Sequence, residues 1–365
     1  MRFTLRRCAA LGVVLAAVAG LLLAPPSAAS TGKRFTPLRL HGQPIRGISI
    51  TEITQFAALA IPDFQRIKAD GFNMVSIYAY RFVDSYTANE QKAGAFTEPD
   101  ASLEQAIDAA HQAGLAVELS PTLWVGSPLG TFQPRARIQP SDPNAFFASY
   151  RSMVDHYADM AQKHGVELYG LGSELTSIES MASQWRRVAA EARRHYRGPL
   201  TYFTITNVVT KVSWWDAVDY PGISPYVSLG TQAAPSYDQL VHAWRTVHIP
   251  NLMRIQQQVG RPLLVAETGY ASSEGTITHP ENGANHNGAP SEQLQSDAYR
   301  ALLDTLMRTK GFDGVTFWRW SVKELGPVDK GFSPKGKAAE CMLAKRWAPA
   351  GQSALQCGPL GHVLL

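Results

Sequence analysis

The chain has 365 residues, with 34 Lys and Arg against 30 Asp and Glu, which gives a formal net charge of +4. So small an excess provides no basic surface of the kind that binds nucleic acid or acidic lipid. A hydrophobic content of 45% supports a sizeable core and excludes wholesale disorder. The length is ordinary for a single α/β barrel.

The first segment is typical of a secretory signal peptide. Three arginines fall within residues 1–7, an apolar run covers residues 8–24, and small residues precede Ser30. The apolar run is short for a membrane span, although an uncleaved anchor is the alternative. We predict that residues 1–29 are removed and that the protein is secreted or cell-wall associated, with no membrane contact afterwards.

Eight β-like runs alternate with helical segments, a pattern that predicts a parallel sheet closed by crossover helices. The runs are RGISI (46–50), FNMVSIYAY (72–80), LAVELSPTL (115–123), VELYGLGSE (166–174), LTYFTIT (200–206), YPGISPY (220–226), PLLVAET (262–268) and GVTFWRW (314–320). The predicted fold class is α/β, with one (β/α)8 TIM barrel over residues 30–347 and a C-terminal tail over 348–365.

Helices are predicted between these runs, for example over residues 103–113, where apolar or small residues recur every three to four positions. Gly71, Gly114, Gly165 and Gly198 each separate a helix from the next strand. A residue at the C-terminal end of a helix often needs a left-handed conformation, which we expect at all four glycines.

Two connections that follow strands are long. They cover residues 81–102 and 269–292, and the second is rich in Gly, Asn, Ser and Pro and is predicted to be loop throughout. In a barrel of this type both would lie on the face where loops form the substrate cleft.

Two glutamates lie where an apolar run gives way to polar residues: Glu174 at the end of the fourth run and Glu267 at the end of the seventh. Catalytic side chains in TIM barrels lie at the carboxyl ends of different strands. A pair of carboxyl groups is the minimal equipment for cleaving a glycosidic bond, because one protonates the leaving oxygen while the other attacks or activates water. We therefore predict that these two glutamates face each other across the barrel mouth.

Aromatic residues cluster at the same predicted rim: Tyr80, Trp124, Tyr226, Trp318 and Trp320. Trp318 and Trp320 are expected to share one face of the eighth strand, because side chains alternate with period two. Flat aromatic rings pack well against the apolar faces of sugars. The pattern predicts a carbohydrate cleft, although each ring alone is equally compatible with core packing.

No HExxH or paired-histidine spacing, nucleophile elbow, Walker loop or dinucleotide fingerprint follows a suitable run. We therefore expect neither a metal nor a cofactor. Asp216 and Asp219 remain candidates for binding a metal or the substrate, although capping a helix is the commoner role of an aspartate in such a position. After signal removal two cysteines remain, Cys341 and Cys357, and an oxidising compartment favours a disulfide between them, with two free thiols as the alternative.

The chain resembles clan A glycoside hydrolases, and most closely the β-mannanases of glycoside hydrolase family 113, from about Arg46 to Trp347. The segments that carry the resemblance are GLGSEL, WRRVAAEARRHYRGPLTY, VSWWDAVDYPGISPY, AETGYASSEG, FWRW and GFSPKGKAA. The WWDAVD segment and the E-x-G-Y element are the more specific of these.

The resemblance implies retaining hydrolysis with Glu174 as acid/base and Glu267 as nucleophile. It further implies that Tyr226 donates a hydrogen bond to the nucleophile and that Trp318 forms the floor of the subsite for the reacting sugar. Three more residues match family positions without an assigned contact: Asn207, Trp214 and Trp215. Of these, Asn207 and Trp215 are predicted to bind the substrate.

The chain also departs from the family pattern. Ser173 stands where many clan A enzymes have an Asn that binds the sugar 2-hydroxyl, which predicts a narrower substrate contact. Arg81 and Arg319 are unusual and are predicted to alter the cleft near the reacting sugar. The sequence therefore predicts a carbohydrate-binding monomer that hydrolyses a β-linked polysaccharide or oligosaccharide, first of all β-1,4-mannan or glucomannan. The alternatives are a clan A enzyme for glucan or galactan and a catalytically silent carbohydrate-binding barrel.

Overall fold

In a computed structural model the chain forms a closed barrel of eight parallel β-strands, which follow one another around the barrel in chain order. Helices alternate with the strands, so the predicted (β/α)8 TIM barrel is confirmed. The structure describes residues 39–40, 42–50, 57–94, 97–126, 134–282, 288–323, 328–349 and 357. The predicted signal peptide and most of the C-terminal tail lie outside the described residues.

All eight predicted strands form, with ends that shift by at most three residues. The strands are β1 (Ile45–Ile50), β2 (Met74–Val83), β3 (Ala116–Val125), β4 (Leu168–Ser173), β5 (Leu200–Ile205), β6 (Tyr220–Ser224), β7 (Leu263–Thr268) and β8 (Phe312–Trp320). The helices are α1 (Ala57–Ala69), α2 (Asp100–Gln112), α3 (Pro143–Lys163), α4 (Ala182–His195), α5 (Tyr237–Ala243), α6 (Ile249–Val259), α7 (Glu292–Asp304) and α8 (Ala338–Trp347). A π-helical turn, Trp244–His248, joins α5 to α6.

The apolar core has two parts. The larger part lies between the strands and the surrounding helices, as the fold requires. The smaller part fills the barrel interior near the amino-terminal ends of the strands and consists of Leu40, Ile45, Met74, Leu168, Phe203, Leu264 and Ala266. This plug leaves the opposite end, where the strands give way to the βα loops, as the open face of the barrel.

Three of the four glycines behave as expected. Gly71, Gly114 and Gly165 have φ values of 86°, 77° and 68°, each in the left-handed region. Gly198 is not among the positive-φ residues, so the expectation is wrong there. A Cβ atom at Gly198 would lie 2.1 Å from the Tyr196 hydroxyl, so this glycine provides space for a ring.

The connection over 269–292 is not loop throughout, because it contains a 3₁₀ turn at Pro280–Asn282. Residues 283–287 of this connection lie outside the described part of the chain. Cys341 and Cys357 form a disulfide that attaches the tail to α8. Among the described residues, no helix combines the length and the apolar character that crossing a bilayer requires.

A buried cluster of charges connects α1 to α8. Arg66 donates from Nε and Nη2 to the two carboxylate oxygens of Glu340, at 2.6 and 2.8 Å. Asp70, just after α1, is only 1% exposed. Burial raises the pKa of Asp70 to about 9, the nearby Glu340 carboxylate adds to the increase, and Arg66 opposes it. Asp70 therefore has to bind a proton when the protein folds near neutral pH.

Asp70→Asn should stabilise the protein at about pH 7 by on the order of 1–3 kcal/mol, because the amide needs no proton on folding. The folded-state pKa of Asp70 lies above its unfolded value, so the wild type loses stability as pH rises from about 4 towards 9. Urea denaturation should show the difference at about pH 7 and almost none at about pH 3.5. The exposed Asp84→Asn is the control, and a less stable Asp70→Asn at neutral pH would contradict the prediction.

Candidate active site

The open end of the barrel contains a cavity of about 1130 Å³ that is lined by both Glu174 and Glu267. Glu174 directly follows β4 and Glu267 lies in β7, so the parallel strands bring residues that are distant in sequence to one rim. Glu267 is 7% exposed, and the Glu174 side chain is 18% exposed. The predicted pair therefore does share one cavity.

Glu174 has an unusual backbone conformation. Its φ of +54° lies in the left-handed region, which costs a non-glycine residue roughly 1–3 kcal/mol. The pairing of β4 with β5 shifts its register between Gly170 and Ser173, and the Glu174 N–H then donates to the Phe203 carbonyl at 2.9 Å. This irregular strand end directs the glutamate side chain into the barrel mouth.

The Glu174 carboxylate accepts two hydrogen bonds. Arg135 donates from Nη2 to Oε2 at 2.9 Å, and its Nε donates to the Ser173 carbonyl at 3.0 Å. The Ser224 hydroxyl donates to Oε1 at 2.6 Å. Because Arg135 bonds both the glutamate and the preceding carbonyl, its guanidinium fixes the orientation of the side chain.

Glu267 is held by two tyrosines. The Tyr226 hydroxyl donates to Oε1 at 2.9 Å, and the Tyr78 hydroxyl donates to Oε2 at 3.0 Å. The pairing of β7 with β8 shifts register between Val265 and Thr268, which interrupts the alternation of side chains along β7. This shift lets Glu267 face the cavity although the neighbouring Ala266 also faces the barrel interior.

The end of β6 connects the two carboxyl groups. Ser224 binds Glu174, and Tyr226, only two residues further along the chain, binds Glu267. A short stretch of backbone therefore sets the separation of the two acids. The tyrosine contact to Glu267 agrees with what the family resemblance implies for Tyr226.

The two acids interact electrostatically. Burial raises the pKa of Glu267 to about 7, and the charge of Glu174 contributes to the increase. Arg135 and the hydroxyls of Tyr226 and Tyr78 act in the opposite direction, because they stabilise the carboxylate. Burial and the adjacent Glu267 also raise the pKa of both tyrosines well above 10, so both remain neutral hydrogen-bond donors.

Aromatic rings form much of the cavity wall. Trp318 packs edge-on against Tyr78 with ring centroids 5.5 Å apart, and Trp124 packs against Tyr80 at 4.8 Å. Phe332 lies 6.5 Å from Tyr226. The predicted residues Tyr80, Trp124, Tyr226 and Trp318 therefore all line the cavity.

Polar and charged groups complete the cavity lining. Asn207, predicted as a binding residue, is part of it. Further polar lining residues were not predicted, and they are Glu98, Thr122, Thr206, Ser228, His248, Asn251, Glu281 and Lys323. Arg319 also lines the cavity, in agreement with its predicted effect on the cleft. These groups give the cleft the hydrogen-bonding capacity that a polyhydroxylated ligand needs.

Two predicted binding residues of β2 and β8 face the helices. Trp320 is fully buried and donates from its ring N–H to Asp63 of α1 at 2.9 Å. The expected shared face with Trp318 is absent because the pairing of β8 with β1 is irregular near its end. Arg81 donates to the Tyr157 hydroxyl of α3 at 2.9 Å. The prediction of sugar contacts was wrong for both residues.

Two further predicted contacts are also wrong. Trp215 is 6% exposed, its ring N–H donates to the Val209 carbonyl at 2.9 Å, and it belongs to the packing around Trp214. Ser173 is 1% exposed, and its side chain is not part of the cavity lining. The shift of register at the end of β4 explains this position, because it directs Glu174 into the cavity instead.

Three residues that contact the acids were missed from the sequence: Arg135, Tyr78 and Ser224. Tyr78 and Ser224 each precede a predicted residue by two positions, so the period of a strand would have indicated them. Arg135 lies in the 3₁₀ turn Arg135–Arg137 after β3, where no local pattern distinguishes it from the nearby Arg137.

One group of potential metal ligands occurs among the described residues, namely Asp155, Glu191 and His195 on α3 and α4. This group lies outside the cavity lining. Arg194 already donates to both carboxylate oxygens of Glu191. The two aspartates of the WWDAVD segment, which the sequence left as possible ligands, both form ion pairs. Asp216 pairs with Arg186, and Asp219 pairs with Arg193.

Tyr226→Phe and Tyr78→Phe should each raise the pKa of Glu267 above about 7, by roughly half a pH unit or more, because each loses a hydroxyl that stabilises the carboxylate. Carboxyl ¹³C NMR titration measures this pKa, and loss of a resonance in Glu267→Gln assigns it. Tyr80→Phe is the matched control, since Tyr80 lines the cavity without bonding Glu267 among the described contacts. Unchanged titrations in both variants would contradict the prediction.

The comparisons with known proteins agree with this geometry. The sequence profile of Glycoside Hydrolase Family 113 matches residues 55–337, most of the chain. A solved family 113 β-mannanase from Alicyclobacillus acidocaldarius, in complex with ManMIm, is 26% identical with a TM-score of 0.72. That alignment covers 84% of this chain and 97% of that one.

Other similar structures show likeness of fold. A family 113 β-1,4-mannanase is 24% identical, with a TM-score of 0.72 and coverage of 84% of this chain and 99% of that one. A fungal β-1,4-galactanase is 16% identical, with a TM-score of 0.52 and coverage of 82% and 98%. A comparison with curated protein sequences found no match. Because the family profile matches residues 55–337, a segment that spans both cavity glutamates and more than half of the chain, the chain belongs to Glycoside Hydrolase Family 113.

Proposed function

We propose that this glycoside hydrolase is a secreted, retaining β-glycosidase that cleaves β-1,4-mannan or glucomannan. The observation that carries the proposal is that Ser224 and Tyr226, two residues apart, each hold one of two carboxyl groups in a single cavity. The choice of mannan rests on the 26% identical β-mannanase. Retention is proposed from the resemblance to the family, and it requires carboxyl groups ~5–5.5 Å apart, whereas inverting enzymes separate them by ~6.5–9.5 Å to admit a water molecule.

The proposed reaction has two steps. Glu267 attacks the anomeric carbon while Glu174 protonates the departing glycosidic oxygen, which leaves a covalent glycosyl-enzyme. Glu174, now ionised, removes a proton from water, and the resulting oxygen nucleophile displaces Glu267 from the anomeric carbon. Both groups then return to their starting state, and the two inversions at carbon give net retention.

The reaction requires a proton on Glu174 and none on Glu267. Without substrate, burial favours the protonated form of Glu267, while Arg135 donates a hydrogen bond to Glu174. The reaction needs one proton on the two acids together. A bound leaving-group oxygen accepts a hydrogen bond from protonated Glu174, so substrate binding favours transfer of the proton to that residue.

Other groups of the cavity suit a sugar polymer. The rings of Trp318, Trp124 and Tyr80 provide flat apolar surfaces for the faces of sugar rings. Tyr78 and Tyr226 remain neutral, so they hold Glu267 as an oriented carboxylate during attack. In this role they contribute to transition-state stabilisation in the same way as other preorganised donors.

Glu267→Ala and Glu174→Ala should each lower kcat on β-mannan about 10³-fold or more, because each removes a reacting group. Azide should rescue Glu267→Ala with an α-glycosyl azide, because it attacks the β-linked substrate directly. On an aryl β-mannoside, whose leaving group departs without protonation, azide should rescue Glu174→Ala with a β-glycosyl azide, because it attacks the covalent intermediate. Product NMR distinguishes these outcomes, and Glu179→Gln is the control, as this buried glutamate after β4 does not line the cavity.

A panel of mannan, glucomannan, β-glucan and β-galactan tests the substrate. Cleavage confined to glucan or galactan would replace mannan and leave the mechanism in place. Wild-type protein that cleaves none of these polymers, and that an activated 2-fluoro-glycoside does not label, would overturn the enzyme mechanism in favour of a carbohydrate-binding barrel. Identical azide products from both variants would contradict the assigned roles.

Secretion is proposed from the N-terminal sequence, and cleavage should follow Ala29. Protein recovered from the medium of an exporting host should therefore begin at Ser30. Intact-mass measurement and N-terminal sequencing check this expectation. Full-length protein that starts at Met1 and stays in the membrane fraction would contradict it.

A further inference from the structure

The barrel interior contains a buried carboxyl group that the proposed reaction does not use. Glu118 lies on β3 and is 1% exposed. Its register partner on β2 is Ser76, whose partner on β1 is Ser49. Register partners on neighbouring strands point to the same face of the sheet. The three side chains therefore form a row across adjacent strands.

This row lies between the apolar plug and the catalytic acids. Met74, Ser76 and Tyr78 alternate along β2 and so share one face. Met74 belongs to the plug, and the Tyr78 hydroxyl donates to Glu267 at 3.0 Å. Ser76 therefore lies between the plug and the catalytic acids, and its register partner Glu118 lies at the same level of the barrel.

Other small polar groups are buried nearby, on β3 and β8. A Cβ atom on Gly170 would lie 2.6 Å from Ser120 Oγ, and one on Gly47 would lie 2.6 Å from Thr316 Oγ1. Ser120 and Thr316 are both buried. The glycines therefore leave room for hydroxyl groups, and among the described residues no Lys or Arg pairs with Glu118.

Glu118 differs from a structural buried carboxylate. Glu340 has a bidentate bond from Arg66, whereas neither oxygen of Glu118 has a hydrogen bond of good geometry from any described residue. An isolated buried carboxyl costs several kcal/mol when ionised. Packing alone therefore does not account for an acid at this position.

We propose that Glu118 is a positioning residue whose charge, placed beneath Tyr78 and Glu267, controls the ionisation of Glu267 and thereby the pH range in which it acts as a nucleophile. Only the part that concerns the pH range of the nucleophile rests on the proposed function. The interaction between Glu118 and Glu267 is a property of the folded protein whatever the substrate is.

The electrostatics of the layer support this role. Burial raises the pKa of Glu118 to about 7, the neighbouring Ser76 hydroxyl lowers it, and the charge of Glu267 raises it. Repulsion between two carboxylates is mutual, so ionised Glu118 holds the proton on Glu267 more tightly. When Glu118 is neutral this repulsion is absent, and the pKa of Glu267 is lower. The pair therefore titrates in two linked steps within the neutral range.

Other groups also shift the pKa of Glu267, and each of them lies on a different part of the barrel. Burial of Glu267 and the charge of Glu174 act in the same direction as Glu118, while Arg135 and two tyrosines act against it. The groups that face Glu267 are Glu174 after β4, Arg135 in its 3₁₀ turn, Tyr226 after β6 and Tyr78 on β2. A substitution at Glu118 leaves all of these residues in the chain, although the charge of Glu118 also contributes to the raised pKa of Tyr78.

The test is a carboxyl ¹³C NMR titration of the whole protein in the wild type, Glu118→Gln and Glu118→Asp. Glu118→Gln should lower the pKa of Glu267 by about half a pH unit or more, because it removes a negative charge while keeping the side-chain volume. Glu118→Asp should stay close to the wild type, because the charge remains. Asp70→Asn, which removes a remote buried carboxyl, should leave the titration of Glu267 unchanged.

Equal pKa values of Glu267 in the wild type and Glu118→Gln would overturn the proposal. So would equal shifts in Glu118→Gln and Glu118→Asp, since packing and not charge would then be the cause. If Glu118→Gln does not fold, the wild type alone decides the matter. The Glu118 carboxyl should then titrate in two steps, one of them at the pKa of Glu267, and a single-step titration of Glu118 would refute the coupling.

Kinetics separate this proposal from the proposed function. In Glu118→Gln the acidic limb of kcat/KM on β-mannan should move to lower pH together with the pKa of Glu267. A wild type inactive on every glycan would refute the function while the NMR titration still tests the coupling. An unmoved kinetic limb beside a shifted NMR pKa would overturn the part of the proposal that concerns the pH range of the reaction.

Discussion

The repulsion between two carboxyl groups in a poorly solvated barrel mouth is the interaction on which the rest of the site depends. Burial and the charge of Glu174 raise the pKa of Glu267 to about 7, so Glu267 holds its proton at a pH where an isolated glutamate would have lost it. The surrounding contacts are unequal: Arg135 binds one acid, and Tyr78 with Tyr226 binds the other. A glycosidase needs this inequality, because its two acids perform different tasks.

Irregularities of the barrel strands place these groups. Register shifts near the ends of β4, β7 and β8 interrupt the alternation of side chains, and each shift changes which residue faces the cavity. Through them Glu174 and Glu267 reach the mouth, while Trp320 turns towards α1. The positive φ of Glu174 is the local cost of one such shift. Strand ends of regular geometry would have distributed the same residues differently between cavity and core.

The barrel interior is layered along its axis. An apolar plug occupies the amino-terminal end, a layer of hydroxyl groups with Glu118 lies above it, and the catalytic acids lie at the mouth. The side chains become more polar from the plug towards the mouth, whereas the layer of Glu118 is as buried as the plug. The proposed influence of Glu118 on Glu267 follows from this arrangement, because little solvent intervenes to screen one carboxyl from the other.

The sequence by itself determined the eight strands, the barrel and the two glutamates, because apolar runs and helix periodicity are local patterns that a fold of this class preserves. It also indicated Tyr80, Trp124, Tyr226 and Trp318, which follow from their positions at strand ends. Only the tertiary structure decided that Arg81, Trp215 and Trp320 pack away from the cavity and that Arg135 binds Glu174. The reason is physical: period two predicts the face of a residue only in a regular strand, and a contact from a loop depends on the path of the chain in space.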